Sequence, residues 1–129
     1  MPRPAREYAE LLMKRIEDFG SQVYLVNTGW SGGRCGSGGE RMPLDLTRRC
    51  VRAIVAGEVD RAPSIADPIF NLQVPVALEG VPAELLWPRK AWACGEDYDR
   101  AAEELAGLFG QNYRRFLHPD VADYRDGGP

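Results

Sequence analysis

Between residues 29 and 39 the chain reads Gly-Trp-Ser-Gly-Gly-Arg-Cys-Gly-Ser-Gly-Gly, six glycines in eleven positions. Without a Cβ such a stretch favours neither helix nor strand, and its backbone can approach another group closely. Pro63, Pro68, Pro75, Pro82 and Pro88 punctuate the stretch from 61 to 95 in the same way. Gly and Pro together supply 24 of the 129 residues, about 19% against a usual ~12%. That excess predicts a loop-rich fold with short elements. The glycine run is not a phosphate loop of the Walker type, which ends Gly-Lys-Ser/Thr so that the lysine reaches the phosphates. Here Gly33 is followed five residues later by Gly38, then by Gly39 and Glu40, and a glutamate there would repel phosphate. The dinucleotide pattern fails as well, since Arg41 stands where its third glycine belongs. A flexible active-site flap and an ordinary long hairpin loop both remain open.

Around this loop the periodicity predicts an α/β fold with about three helices and few short strands. Tyr8, Leu11, Leu12, Ile16 and Phe19 fall at helical spacing, and Gly20 is a left-handed stop. Residues 23–26, Val-Tyr-Leu-Val, read as a buried strand. Asp45 is placed to cap a second helix running to Ala56, with Leu46, Cys50, Ala53 and Ile54 inward and Gly57 closing it. Residues 69–76 are the best further strand, and Pro75 argues for an edge. From 97 to 116 Tyr98, Ala101, Ala102, Leu105, Leu108, Phe109 and Phe116 form one stripe on a helix about 30 Å long. Large side chains of that kind each gain ~1.5–3 kcal/mol on burial, so the stripe must cover something. The one or two visible strands are too few for a full sheet beneath it. Residues 118–129 read as a flexible tail.

Composition removes whole classes of function. Sixteen basic and nineteen acidic residues leave a net charge of −3, which attracts neither nucleic acid nor an anionic membrane. Arg48, Arg49, Arg52, Arg114 and Arg115 read as solvated helix surface, and Glu96, Asp97 and Asp99 as acids favoured at a helix start. No run approaches the ~18 apolar residues of a membrane span, and no signal peptide heads the sequence. Cys35, Cys50 and Cys94 are scattered and odd in number, as expected of reduced thiols in a cytoplasmic protein. With His118 the single histidine, neither a zinc site nor a catalytic Ser-His-Asp or Cys-His group can be assembled.

A series of strings carries a resemblance. These are Tyr8-Ala9-Glu10-Leu11-Leu12, Val23 to Trp30 with Gly32-Gly33, Gly38 to Met42, and Leu44 with Thr47-Arg48. They continue through Asp67-Pro68-Ile69-Phe70, Val74-Pro75, Gly80-Val81-Pro82, Leu86, Pro88-Arg89, Trp92-Ala93, Tyr98-Asp99 and residues 104–109. In order and spacing they resemble ATP-dependent phosphoenolpyruvate carboxykinase, over its last part only. The resemblance implies that residues 1–117 form part of a C-terminal mononucleotide-binding domain. It implies a parent reaction that converts oxaloacetate and ATP to phosphoenolpyruvate, CO2 and ADP in gluconeogenesis. By the same resemblance Arg41 stacks on the adenine plane while Met42 and Thr47 line the base, types suited to a π face and a polar edge. The family's phosphate loop, its metal-binding lysine, histidine and aspartate, and its oxaloacetate-binding arginine and tyrosine have no counterpart in this sequence. ATP is thus the implied ligand, and the Mg or Mn ion of the family has no ligands on this chain.

Three departures bear on the adenine segment. Glu40 replaces a basic residue, Gly39 makes the glycine run one residue longer, and Arg34-Cys35 replace a proline and an aromatic. Two functional expectations follow. One is a carboxykinase segment that supplies the adenine pocket and no catalytic residue, completed by the missing upstream half. The other is a non-catalytic interaction module, or a folded remnant that needs a partner.

Overall fold

The structure, a computed structural model, describes residues 4–117 and 123–129. It is a mixed α/β, loop-rich fold with three long helices, two one-turn helices and two separate two-stranded antiparallel sheets. Helix α1 (Ala5–Phe19) begins after Pro4 and ends at Gly20, whose φ of 60° is the left-handed stop that the sequence predicts. None of its residues is buried, and its apolar stripe, including Leu11, Leu12 and Phe19, faces solvent.

The strand expected at 23–26 is not formed. Residues 21–28 run without helix, strand, turn or bend, and among the described residues no backbone–backbone hydrogen bond reaches residues 22–28. The side chains have the strand pattern, but a strand exists only as half of a ladder, and no neighbour lies alongside. The Tyr24 hydroxyl donates to the Asp60 carboxylate, holding the segment at one point.

The glycine run is a hairpin loop. Strand β1 (Trp30–Ser31) pairs with β2 (Glu40–Arg41), Trp30 opposite Arg41 and Ser31 opposite Glu40. Inside the loop the Ser37 and Gly39 amides donate to the Arg34 carbonyl at 3.0 and 3.2 Å. Gly33 and Gly39 touch through their backbones. A Cβ on Gly39 would lie 2.5 Å from the Gly33 oxygen, and one on Gly33 would lie 2.7 Å from the Gly39 nitrogen.

Helix α2 (Leu44–Val55) starts two residues earlier than a cap at Asp45 would place it. Pro43 occupies the cap position in extended geometry, and Asp45 lies inside the first turn, where the helix dipole favours its charge. Gly57, at φ 65°, reverses the chain into α3 (Glu58–Arg61), and Arg49 Nη2 meets Glu58 Oε2 at 2.5 Å across that turn.

Strands β3 (Ser64–Ala66) and β4 (Gln73–Pro75) form the second hairpin, with Ile65 opposite Val74. The expected strand at 69–76 is shortened because Asp67 Oδ1 accepts from the Ile69 and Phe70 amides at 2.9 and 2.7 Å. That side-chain turn bends residues 67–72 away from the ladder. Pro75 lies on a two-stranded sheet, where every strand is an edge.

After α4 (Ala83–Leu86), the longest helix is α5 (Gly95–Tyr113), which continues as a 3-10 turn through Phe116. Arg89 grips its first turns by two bonds to Asp99, Nε–Oδ1 at 2.8 Å and Nη2–Oδ2 at 2.9 Å. Of the expected tail, residues 118–122, His118 among them, lie outside the described residues. Residues 123–129 return to the body. The Tyr124 amide donates to the Tyr113 hydroxyl at 2.8 Å, and Asn71 Nδ2 donates to the Asp126 carbonyl at 3.2 Å.

Buried apolar residues among those described are Ala53, Val81 and Ala102, and no large side chain is fully enclosed. The stripe of α5 is half-covered, with Leu105, Leu108 and Phe109 all exposed.

Candidate functional site

Arg41, Met42 and Thr47 lie on one continuous stretch where β2 passes through Pro43 into α2. Arg41 closes the short ladder opposite Trp30, and its guanidinium is exposed without a hydrogen-bond or ion-pair partner among the described residues. Met42 is half-buried, and its amide donates to the Gly29 carbonyl at 3.0 Å, which locks the base of the hairpin. Thr47 sits in the first turn of α2. Its Oγ1 stands 3.5 Å from the Pro43 carbonyl, a contact too long to saturate the hydroxyl. The hairpin lock thus fixes the backbone of all three, while the Arg41 and Thr47 side chains keep polar groups for another partner.

Beside this stretch opens a cleft of about 780 Å3. Met42 and Trp30 form part of its wall, together with residues 22–27, the inner residues of the β3–β4 hairpin, and Ile54, Leu78 and Leu86. Arg41 and Thr47 are not part of that wall. Of the three expected site residues, then, one faces the cleft, one closes the hairpin and one sits on the helix turn.

A smaller groove of about 320 Å3 runs along α5, walled by Phe70, Trp92, Tyr98, Leu105 and Leu108. Trp92 meets Tyr98 edge to face at 5.8 Å. Burial and the nearby Asp67 and Asp99 carboxylates raise the Tyr98 phenol above its usual value. The groove is bridged by Arg34, whose guanidinium ion-pairs with Glu104. Sequence reasoning does not reach this tie, because 70 residues separate the partners. Cys35 and Cys94 are exposed, whereas Cys50 is half-covered and burial raises its thiol pKa.

The divalent metal implied by the resemblance finds no fit here. Among the described residues no group of three or more His, Cys, Asp or Glu side chains lies close enough to hold an ion. Nor is any described helix long and apolar enough to cross a membrane.

The sequence model of the phosphoenolpyruvate carboxykinase family matches residues 1–84, well over half of the chain. The chain belongs to the phosphoenolpyruvate carboxykinase family. Among curated carboxykinases it is 47% identical to the ATP-dependent enzyme of Lysinibacillus sphaericus, 46% to that of Geobacillus kaustophilus and 44% to that of Bacillus subtilis. Each alignment covers the whole of this chain and 24% of the relative. The chain thus spans about a quarter of the length of the carboxykinases it matches, and the expected site residues Arg41, Met42 and Thr47 fall inside the family match.

Proposed function

We propose that these 129 residues are the C-terminal, adenine-binding segment of a cytoplasmic ATP-dependent carboxykinase, a lyase of gluconeogenesis that makes phosphoenolpyruvate from oxaloacetate and ATP. The observation that carries this reading is the match of the entire chain, at 43–47% identity, to one quarter of such enzymes. Arg41 stacks on the base, Met42 packs against it and Thr47 bonds its edge. Phosphate and metal contacts come from the rest of the carboxykinase. A pocket of this kind is weak by itself. A guanidinium–adenine stack supplies ~1–2 kcal/mol, and two or three hydrogen bonds supply ~1 kcal/mol each. Association costs at least ~4 kcal/mol, so millimolar or weaker binding is expected, −4.1 kcal/mol corresponding to ~1 mM.

The test is an ATP titration followed by amide NMR shifts. Saturable shifts at Arg41, Met42 and Thr47 that vanish in Arg41→Ala support the assignment. Their absence up to ~10 mM, where a −2.7 kcal/mol site half-fills, shows that the chain alone forms no adenine site of that strength. The chain alone is expected to form no phosphoenolpyruvate from oxaloacetate, ATP and Mg or Mn, and turnover by pure protein would overturn that.

A second reading, a non-catalytic module or folded remnant that needs a partner, is favoured by the small core of Ala53, Val81 and Ala102. It predicts self-association or binding of an exposed-hydrophobe dye, and a monodisperse monomer without dye binding speaks against it.

A further inference from the structure

Residues 32–39 form the loop between β1 and β2, and glycine at five of those eight positions leaves the backbone little preference of its own. What fixes the loop is centred on Arg34. Its carbonyl accepts the Ser37 and Gly39 amides at 3.0 and 3.2 Å, and its backbone bridges to Ser37 and Gly38. Its guanidinium ion-pairs with Glu104 on α5, 70 residues away. Among the described residues this is the single side-chain hydrogen bond from residues 32–39 to the rest of the chain. A second touch is steric: Gly32, at φ 77°, lies against the Ala91 carbonyl, where a Cβ would come within 3.2 Å. The path from Arg34 to the candidate site is short. Gly39, whose amide Arg34 holds, stands two residues before Arg41, which closes the ladder opposite Trp30. We propose that Arg34 is a positioning residue for Arg41: its tie to Glu104 fixes the loop against α5 and so sets the direction from which Arg41 meets the base.

Arg41 has no hydrogen-bond or ion-pair partner among the described residues, so its aim is set by the backbone that carries it. That backbone is a ladder of two residues on each side, and an isolated hairpin is marginal in water. With the tie broken the loop samples the many conformers open to glycine. The aimed state is then only part of the population, and the apparent affinity for a base falls by that fraction. Both side chains of the pair are 59% exposed, so water and salt screen it, and it shifts such an equilibrium by about two- to fivefold. Among the described residues Glu104 makes no hydrogen bond or ion pair to Arg41, Met42 or Thr47, so a change at Glu104 reaches the base through Arg34. This inference rests on the adenine reading of Arg41 and adds to it a residue outside the β2–α2 stretch.

The test is an adenosine titration of the 129-residue chain, followed by amide NMR shifts at Arg41, Met42 and Thr47. Adenosine is uncharged, so added salt acts on the tie and not on ligand phosphates. Glu104→Ala puts a strong helix former on an exposed position of α5 and leaves the fold intact. It should weaken adenosine binding by about two- to fivefold. Arg34→Ala should do the same, and the double variant should lose no more, as for two halves of one interaction. The exchanged pair, Arg34→Glu with Glu104→Arg, should restore binding. In 1 M salt, where the screening length falls to about 3 Å, wild type and Glu104→Ala should bind alike. A merely structural effect would survive the salt and would not be rescued by the exchange. Equal binding by Glu104→Ala and wild type at low salt overturns the inference, as does a loss in Arg34→Ala that the exchanged pair does not recover. If the wild type binds no adenosine, the adenine reading fails by itself, and amide exchange without ligand decides the tie. The Ser37 and Gly39 amides should then exchange faster in Glu104→Ala, and equal rates overturn the inference.

Discussion

Arg89 and Asp99 form an ion pair held by two hydrogen bonds, and its pH behaviour has a definite sign. The Arg89 guanidinium, through its hydrogen bonds and charge, holds the Asp99 carboxyl below the usual range. A carboxyl lowered in the folded state adds stability above its unfolded pKa of ~3.9, and that stability is lost as pH falls through the folded value. Asp99→Asn should therefore lower the melting temperature at pH 7, and the difference from wild type should shrink as pH falls below the unfolded value of ~3.9. A difference that persists unchanged to pH 2 would show that the pair is not the cause. At the same scale, Gly39 is required by its neighbour's backbone. Gly39→Ala brings a methyl to 2.5 Å from the Gly33 oxygen, and the hairpin loop must open by roughly 1–3 kcal/mol. Faster amide exchange at Ser37 and Met42 would report it. The residue that looks surplus in the sequence is the one that lets the loop close on itself. Cys50 gives a third check: burial raises its thiol pKa, so at pH 8 it should alkylate more slowly than exposed Cys35 and Cys94.

Among the elements, α2 is the one that carries a fully enclosed side chain. Ala53 is 0% exposed on its inner face, so Ala53→Leu should overpack that contact at a cost of ~1–3 kcal/mol. Denaturant midpoints of the two proteins measure it, and equal midpoints would mean the site has room. The helices were legible in the sequence because a 3.6-residue stripe and a glycine stop are local signals, as at Phe19–Gly20 and Val55–Gly57. The strands were not. Residues 23–26 have strand composition and form no strand, because pairing depends on a neighbour that periodicity cannot supply. Of residues 69–76 only Gln73–Pro75 remain strand, because the turn built on the Asp67 carboxylate outcompetes the ladder. For the candidate site, Arg41, Met42 and Thr47 come from resemblance, and nothing in their own spacing marks them. The Arg34–Glu104 tie crosses 70 residues and leaves no trace in the sequence.

For the whole molecule the governing fact is how little is enclosed. Its exposed apolar residues line both outer helices and residues 21–28. On its own the chain should unfold with a denaturant slope below that of an ordinary 129-residue domain, since slope follows the area exposed on unfolding. A sharp transition with a full-sized slope would contradict the small core. Membership of the family and thinness of the core stand together: the chain spans about a quarter of the length of the relatives it matches, and its buried apolar residues among those described are Ala53, Val81 and Ala102.

Residues 21–28 bring a consequence of a different kind. Endopeptidases hold their substrates as extended strands, so a segment without helix, strand, turn or bend and free of backbone partners is presented ready to cut. The glycine-rich loop is just as exposed, yet its Ser37 and Gly39 amides are turned inward onto Arg34 and its Gly36 and Gly38 adopt left-handed φ. A protease that accepts aromatic or leucine side chains would therefore make its first cut after Tyr24 or Leu25, separating helix α1 from the remainder before any hairpin is touched.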